Sequence, residues 1–185
     1  MRKIIAQTVV SLDGYFEGPN QSIDWHGIDD DYRRYAAELL RSVDAILFGR
    51  VTYQLMEKYW PTTEAISRDP LIANLMNQLQ KYVFSNSLER ADWHNTSLVK
   101  GDPIEAIRNL KQQNGKDMVI LGRGTVVADL TRYGLIEEYQ LMVNPVLLGQ
   151  GSSLFKGLQD RVDLKLERSN VFPSGNVLLC YRHNK

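Results

Sequence analysis

Two glycine turns carry the clearest chemical signal in this sequence. Met118-Val119-Ile120-Leu121 is an apolar run of strand type. Gly122-Arg123-Gly124-Thr125 turns it, and a helix-compatible segment from Val126 to Tyr133 follows at once. Ala45-Ile46-Leu47-Phe48 repeats the logic, with Gly49-Arg50-Val51-Thr52 opening the next helix. A helix entered directly from a strand end presents free backbone N–H groups and the positive end of its dipole, which suits a phosphate. Arg50 and Thr52 add side chains able to bind phosphate oxygens. Two such turns in one small chain point to a pyrophosphate held between two helix ends.

The elements that must position these turns follow from periodicity. Ile4 to Val10 reads as a first strand, ending in Ser11-Leu12-Asp13-Gly14. From Asp30 to Val43 the apolar residues Tyr32, Tyr35, Ala36, Leu39 and Leu40 fall on one face of a helix. Val51 to Tyr59 is helical and stopped by Pro61. Asp69-Pro70 and Asp102-Pro103-Ile104-Glu105 each pair a capping carboxylate with Pro at the first helical position. The first starts a helix to about Gln80. The second starts one that should close at Asn114-Gly115. Tyr82-Val83-Phe84, Ser97-Leu98-Val99 and Tyr139 to Val143 read as strands, and Gly134 as the residue that ends the helix before the last of these. Leu164 to Phe172 and Val177 to Tyr181 form a terminal hairpin through Pro173-Ser174-Gly175-Asn176. Strands and helices alternate for about two-thirds of the chain before antiparallel strands finish it. The expected architecture is α/β, a single domain over residues 1–185 with helices on both faces of a mixed, mostly parallel sheet and an antiparallel C-terminal edge.

Composition limits the function classes. The 185 residues are 43% hydrophobic and 24% charged, with 22 Lys and Arg against 22 Asp and Glu. No basic stripe favours nucleic acid, and no apolar run reaches membrane-spanning length. A lone cysteine, Cys180, and the absence of a signal-type apolar segment near Met1 fit a cytoplasmic protein. His26, His94 and His183 lack paired ligand spacing, so no metal site is expected. Ser11 has no His and Asp partners at recognisable spacing for nucleophilic catalysis.

Taken together, these segments resemble the dihydrofolate-reductase-like fold, and within it the C-terminal reductase domain of the riboflavin-biosynthesis deaminase/reductase. The matching parts are Ser11-Leu12-Asp13-Gly14, Gly49-Arg50-Val51-Thr52, Tyr82-Val83-Phe84-Ser85 and Gly122-Arg123-Gly124. The most specific is Gly134 to Tyr139 leading to Asn144-Pro145-Val146-Leu147-Leu148-Gly149-Gln150-Gly151 and Leu154-Phe155. The resemblance implies a three-layer α/β/α fold, an NADPH-dependent reductase and a homodimer. It places the cofactor phosphates on Gly49, Arg50, Val51 and Thr52 and on Gly122, Arg123, Gly124, Thr125 and Val126. Val9, Val10 and Leu12 would shape the nicotinamide end. The 2′-phosphate would lie near Ser85, Asn86 and Ser87. The residues themselves agree, because no acidic residue immediately follows that strand to grip a ribose diol, and Arg90 is nearby.

The substrate side is less defined. Asp13-Gly14 is either a simple turn or a loop beside the nicotinamide and substrate. Trp25 is either a floor for the substrate pocket or a core residue. The run Asp29-Asp30-Asp31 caps the first helix, or Asp30 supports substrate protonation as a carboxylate does in dihydrofolate reductases. The Asp-Asp-Pro segment with trailing Leu and Arg of the riboflavin-pathway reductases is missing, Arg123 stands where relatives often carry a second glycine, and there is no zinc deaminase half. The resulting expectation is reduction of a phosphoribosylamino-pyrimidine, a pterin, or another small heterocycle or carbonyl compound. A nucleotide-binding homodimer without turnover is the alternative, and a flavin-binding module a weaker one.

Overall fold

The computed structural model describes residues 1–122 and 124–183, with the side chains of Gly124 and Thr125 outside the description. In chain order its elements are β1 (Ile4–Ser11), β2 (Tyr15–Glu17), α1 (Asp30–Ser42), β3 (Val43–Gly49), α2 (Arg50–Tyr59), α3 (Thr63–Arg68), α4 (Pro70–Gln78), β4 (Gln80–Phe84), β5 (Thr96–Val99), α5 (Pro103–Gln112), β6 (Asp117–Leu121), α6 (Gly124–Arg132), β7 (Glu138–Asn144), β8 (Ser152–Ser153), β9 (Leu164–Val171) and β10 (Val177–His183). The fold is α/β, with a mostly parallel central sheet and a small antiparallel sheet. Among the described residues no helix is long and apolar enough to cross a membrane.

The chain divides into two compact units that interleave in sequence. The first comprises Met1–Lys3 and Arg33–Leu121, and the second Ile4–Tyr32 and the chain from Gly122 onward. In the first unit the strands run β5-β4-β3-β6 and every pair is parallel. Parallel strands covered on both faces read as unbroken apolar runs, and Ile46, Leu47 and Phe48 of β3 are accordingly fully buried. Three helices here are capped by side chains: Thr62 accepts from Ala65 N–H, Asp69 from Ile72 N–H and Asp102 from Ile104 N–H. The two Asp-Pro starts therefore form as expected. α3 is an additional short helix, and α5 stops at Gln112, before Asn114-Gly115. Gly115 has a different task. It adopts φ 156, and a Cβ there would come within 2.5 Å of Asp44 Oδ2. That carboxylate takes the Lys116 N–H and pairs with buried Arg2.

In the second unit β1 pairs in parallel with β7, and β7-β10-β9 are antiparallel. α6 ends as expected at Gly134, with φ 62 and a Leu135 N–H bond back to Leu130 O. The two- and three-residue strands β2 and β8 form the small antiparallel sheet. Gly151 permits that pairing. It sits at φ 154, and a Cβ there would overlap the Glu17 carbonyl oxygen.

Candidate functional site

The first unit carries an open helix start. Gly49 is the N-cap of α2 with φ −79 and ψ 158, an extended conformation open to any residue. Glycine is thus not demanded by the backbone. What it removes is a capping side chain: no side chain bonds the first turn of α2, and that turn holds no acidic residue. The contrast with the capped starts of α3, α4 and α5 is direct. Arg50 at the first helical position adds positive charge to the positive end of the dipole, an arrangement that favours an anion. The Arg50 side chain is exposed and donates to Gln54 Oε1 at 3.1 Å. Val51 is 38% exposed, whereas Thr52 is buried.

Register places the second candidate group beside this start. Gly49 is the partner of Phe84 in the parallel pairing of β3 with β4. Arg50 to Thr52 and Ser85 to Ser87 therefore leave adjacent strands at the same carboxyl end, where open α/β sheets bind ligands. Ser85 Oγ accepts the N–H groups of Ser87 and Leu88 at 3.3 and 3.0 Å, shaping a tight turn. Asn86 Oδ1 accepts Gly101 N–H at 2.7 Å. Asn86 and Ser87 are exposed, and Arg90 points into solvent paired with Asp92.

A buried polar cluster lies behind these residues. Lys81 is completely buried, and its Nζ donates to the carbonyls of Met76, Asn77 and Leu79 at 2.9, 3.0 and 2.6 Å. It thereby closes the C-terminal end of α4, with its charge 4.6 Å from the Trp93 ring centroid. Burial lowers its pKa to about 8. Trp93 Nε1 donates to Asn77 Oδ1, and Trp93 N–H to the Tyr53 hydroxyl and Glu57 Oε1. Burial and the bond to Glu57 raise the Tyr53 phenol to about 12. This cluster braces the segment that begins at Ser85.

The second unit holds the remaining candidates. Gly122 has φ 102, which favours glycine, and its carbonyl accepts Thr8 Oγ1 at 3.3 Å. Val126 lies in the first turn of α6. Arg123 and its peptide bond to Gly122 lie outside the described residues, as do the side chains of Gly124 and Thr125. Strand alternation puts buried Val9 and Val10 on opposite faces of β1, and Leu12 is 65% exposed. Asp13 accepts Ser11 Oγ and the N–H groups of Leu148 and Gly149. These bonds, led by Ser11, lower its pKa. Asp13 is thus a clamp between the turn after β1 and the Leu148-Gly149 segment.

The Trp25 loop is held from beneath. Gly27 N–H donates to Asn144 Oδ1 and Gly27 O accepts Asn176 Nδ2, both at 2.7 Å. Both asparagine side chains are buried. Trp25 is half-buried, edge-on to His26 with ring centroids 4.5 Å apart. Burial lowers the His26 pKa, partly offset by its bond to the Phe16 backbone, and its Nε2 is buried with no partner. Asp30 opens α1 as an exposed residue, while Asp29 takes the Tyr32 N–H at 2.7 Å as a cap does. Cys180 is a buried core residue. Among the described residues no group of three or more His, Cys, Asp or Glu side chains could hold a metal ion.

The family model of the RibD C-terminal domain matches residues 2–178. The chain belongs to that family. As a RibD C-terminal domain it is 32% identical over 183 residues to the uncharacterized protein YyaP of Bacillus subtilis (strain 168), covering 99% of this chain and 96% of that protein. A putative riboflavin biosynthesis protein from Shewanella sp. PV-4 has a similar fold, with a TM-score of 0.77, 21% identity and 99% of each chain covered. Dihydrofolate reductase from Enterococcus faecalis, solved with NADP(H), also shares the fold. Its TM-score is 0.66 and its identity 12%, over 99% of this chain and 97% of that one. The specific block from Asn144 to Gly151 thus acquires physical content in this RibD C-terminal domain. Asn144 holds Gly27, Leu148 and Gly149 hold Asp13, and Gly151 admits β2. Lys81 and Asn176 are buried polar residues, bonded across the fold, that periodicity does not reveal.

Proposed function

We propose that this protein is an NADPH-dependent reductase of a small heterocyclic or carbonyl substrate. Membership of the RibD C-terminal domain family supports a reductase-type activity. The observation that carries the cofactor reading is the start of α2. It has a glycine cap, no side-chain cap bond, no acidic residue and an Arg at its first position, and it lies in register beside Ser85 to Ser87. In this reading the N–H groups of Val51 and Thr52, with Arg50, hold phosphate oxygens, and Ser85, Asn86 and Ser87 take the 2′-phosphate. The family resemblance implies a further phosphate-binding segment at Gly122, Arg123, Gly124, Thr125 and Val126. Val10 and Leu12 serve the nicotinamide end, Asp13 and Trp25 the substrate end, and Asp30 or water supplies the proton. The bound cofactor would supply a hydride, and the chain's task is to place and shield it. The protein acts as a homodimer in this account.

The test is a titration of NADPH and NADH followed by tryptophan fluorescence. NADPH should bind at least roughly tenfold more tightly, the value of one good charge-assisted contact to the 2′-phosphate. Equally weak, millimolar binding of both would remove the reductase reading.

A further inference from the structure

β9 is exposed along nearly its whole length, on both faces of the sheet. Its two faces are nonetheless chemically opposite. Register with β10 puts Val171, Ser169 and Leu166 beside Val177, Leu179 and Tyr181 on one face. β10 carries that face onto β7, where Val177 pairs with Val143 and Leu179 with Leu141. None of these residues is charged. The other face of β9 and β10 bears Lys165, Arg168 and Arg182, and Glu167 turns toward Arg182 at 2.9 Å and Lys165 at 3.7 Å. A register shift between Cys180 and Tyr181 produces this segregation. It skips one residue of β9, so Leu166 rather than Glu167 stands opposite Tyr181. An unbroken ladder would put the carboxylate on the apolar face.

Among the described residues the apolar face stays open. Val171 is 72% exposed and Leu166 48%, and their neighbours on β10 and β7 are half-buried. Met142, Leu178 and Cys180, on the opposite face, are buried. An open apolar patch on the order of 400 Å² marks an interaction surface. Two copies facing each other would hide about twice that, and with a polar rim they approach the roughly 1,200–2,000 Å² of a stable interface.

We propose that this face is where two copies of the chain pack, sheet against sheet about a two-fold axis. A charge-free surface meets its own copy without like-charge repulsion, as a two-fold interface requires. Face packing is favoured over edge pairing, because Lys165 and the bulge blunt the free edge of β9. The interface is that of the homodimer in the functional reading, on which it rests for the second copy alone; no cofactor enters it.

Sedimentation velocity of the full chain, from roughly 1 to 100 μM, should show a species of twice the 21.2 kDa of one chain. Val171→Asp and Leu166→Asp each change an exposed side chain that a monomer leaves in water. Each should raise the dimer dissociation constant at least roughly hundredfold, since two-fold symmetry buries the new charge twice. Asn170→Asp, on the charged face of the same strand, should change it less than roughly threefold. A wild-type chain that stays monomeric, a dimer that survives either folded variant, or an equal loss in Asn170→Asp would overturn the proposal. A monomer that floats with phosphatidylcholine vesicles would assign the face to lipid and overturn it too. Circular dichroism checks the fold of each variant. Should one unfold, amide exchange across wild-type β9 decides: it should slow as the protein is concentrated, and exchange independent of concentration overturns the proposal. NADPH binding by a wild-type monomer defeats this interface alone. A dimer broken at these positions that binds neither NADPH nor NADH defeats the reductase reading alone.

Discussion

Replacing Lys81 with Met tests how the first unit is braced. The substitution keeps the length of the side chain and removes the ammonium that donates to Met76, Asn77 and Leu79 carbonyls. The Met76 contact is fully buried and the other two partly so. Leaving them unpaired costs about 2–3 kcal/mol for the first and about 1 kcal/mol for each of the others. Loss of the charge over Trp93 adds about 1 kcal/mol, for a gross loss of about 5 kcal/mol. Against this, burial moves the lysine from its ordinary 10.5 to about 8. That displacement represents about 3 kcal/mol opposing the charged form in the folded state. The net destabilisation expected at pH 7 is therefore about 2 kcal/mol.

The sign of the pH effect follows from the same displacement. Below about pH 8 the lysine is protonated in both folded and unfolded protein, so the burial penalty is present in full. Between about pH 8 and 10.5 the unfolded chain holds the proton that the folded chain has lost, and wild-type stability rises. Lys81→Met lacks this rise. Urea unfolding followed by tryptophan fluorescence should give a gap between the two proteins that widens by about 1 kcal/mol or more from pH 7.5 to 9.5. A gap that stays flat with pH, or a variant as stable as wild type at pH 7, would refute the capping role.

Three further outcomes are expected. Gly49→Asp should cap α2 with its own carboxylate, stabilising the protein by only about 0.3 kcal/mol in thermal unfolding because glycine is itself a tolerable cap, while weakening NADPH binding at least roughly tenfold through repulsion of the phosphate; tighter binding would contradict the phosphate assignment. Asp13 has a lowered pKa, so its clamp is present at neutral pH and is lost as pH falls through its folded pKa, below its ordinary 3.8. Hydrogen exchange at Leu148 and Gly149 should therefore be slow in wild type and fast in Asp13→Ala, with equal rates counting against the clamp. Gly151→Ala should cost about 3 kcal/mol or more, because a Cβ collides with the Glu17 backbone at a left-handed φ; near-wild-type stability would show that the β2–β8 pairing does not need glycine there.

Local signals made much of the fold legible. Asp69-Pro70 and Asp102-Pro103 announce helix starts because cap, fixed φ and dipole act within a single turn. The apolar run of β3 and the glycine turn after it are equally local, so the open start of α2 was visible in advance. The small antiparallel sheet was not, since two or three residues carry no periodicity. Lys81 carries no local signal, because its burial depends on α4 and Trp93. Asn144 stood inside a family-specific block, yet its bond to Gly27 spans 117 residues and its meaning is tertiary. Asn176 sat in an expected turn and proved to be a buried clamp.

The most direct test of the central claim is a crystal structure of the protein with NADP+. The account expects phosphate oxygens within about 2.7–3.2 Å of the Val51 and Thr52 backbone nitrogens, with the 2′-phosphate at Ser85, Asn86 and Ser87. Cofactor bound with only water at the first turn of α2, or phosphates seated elsewhere, would contradict it.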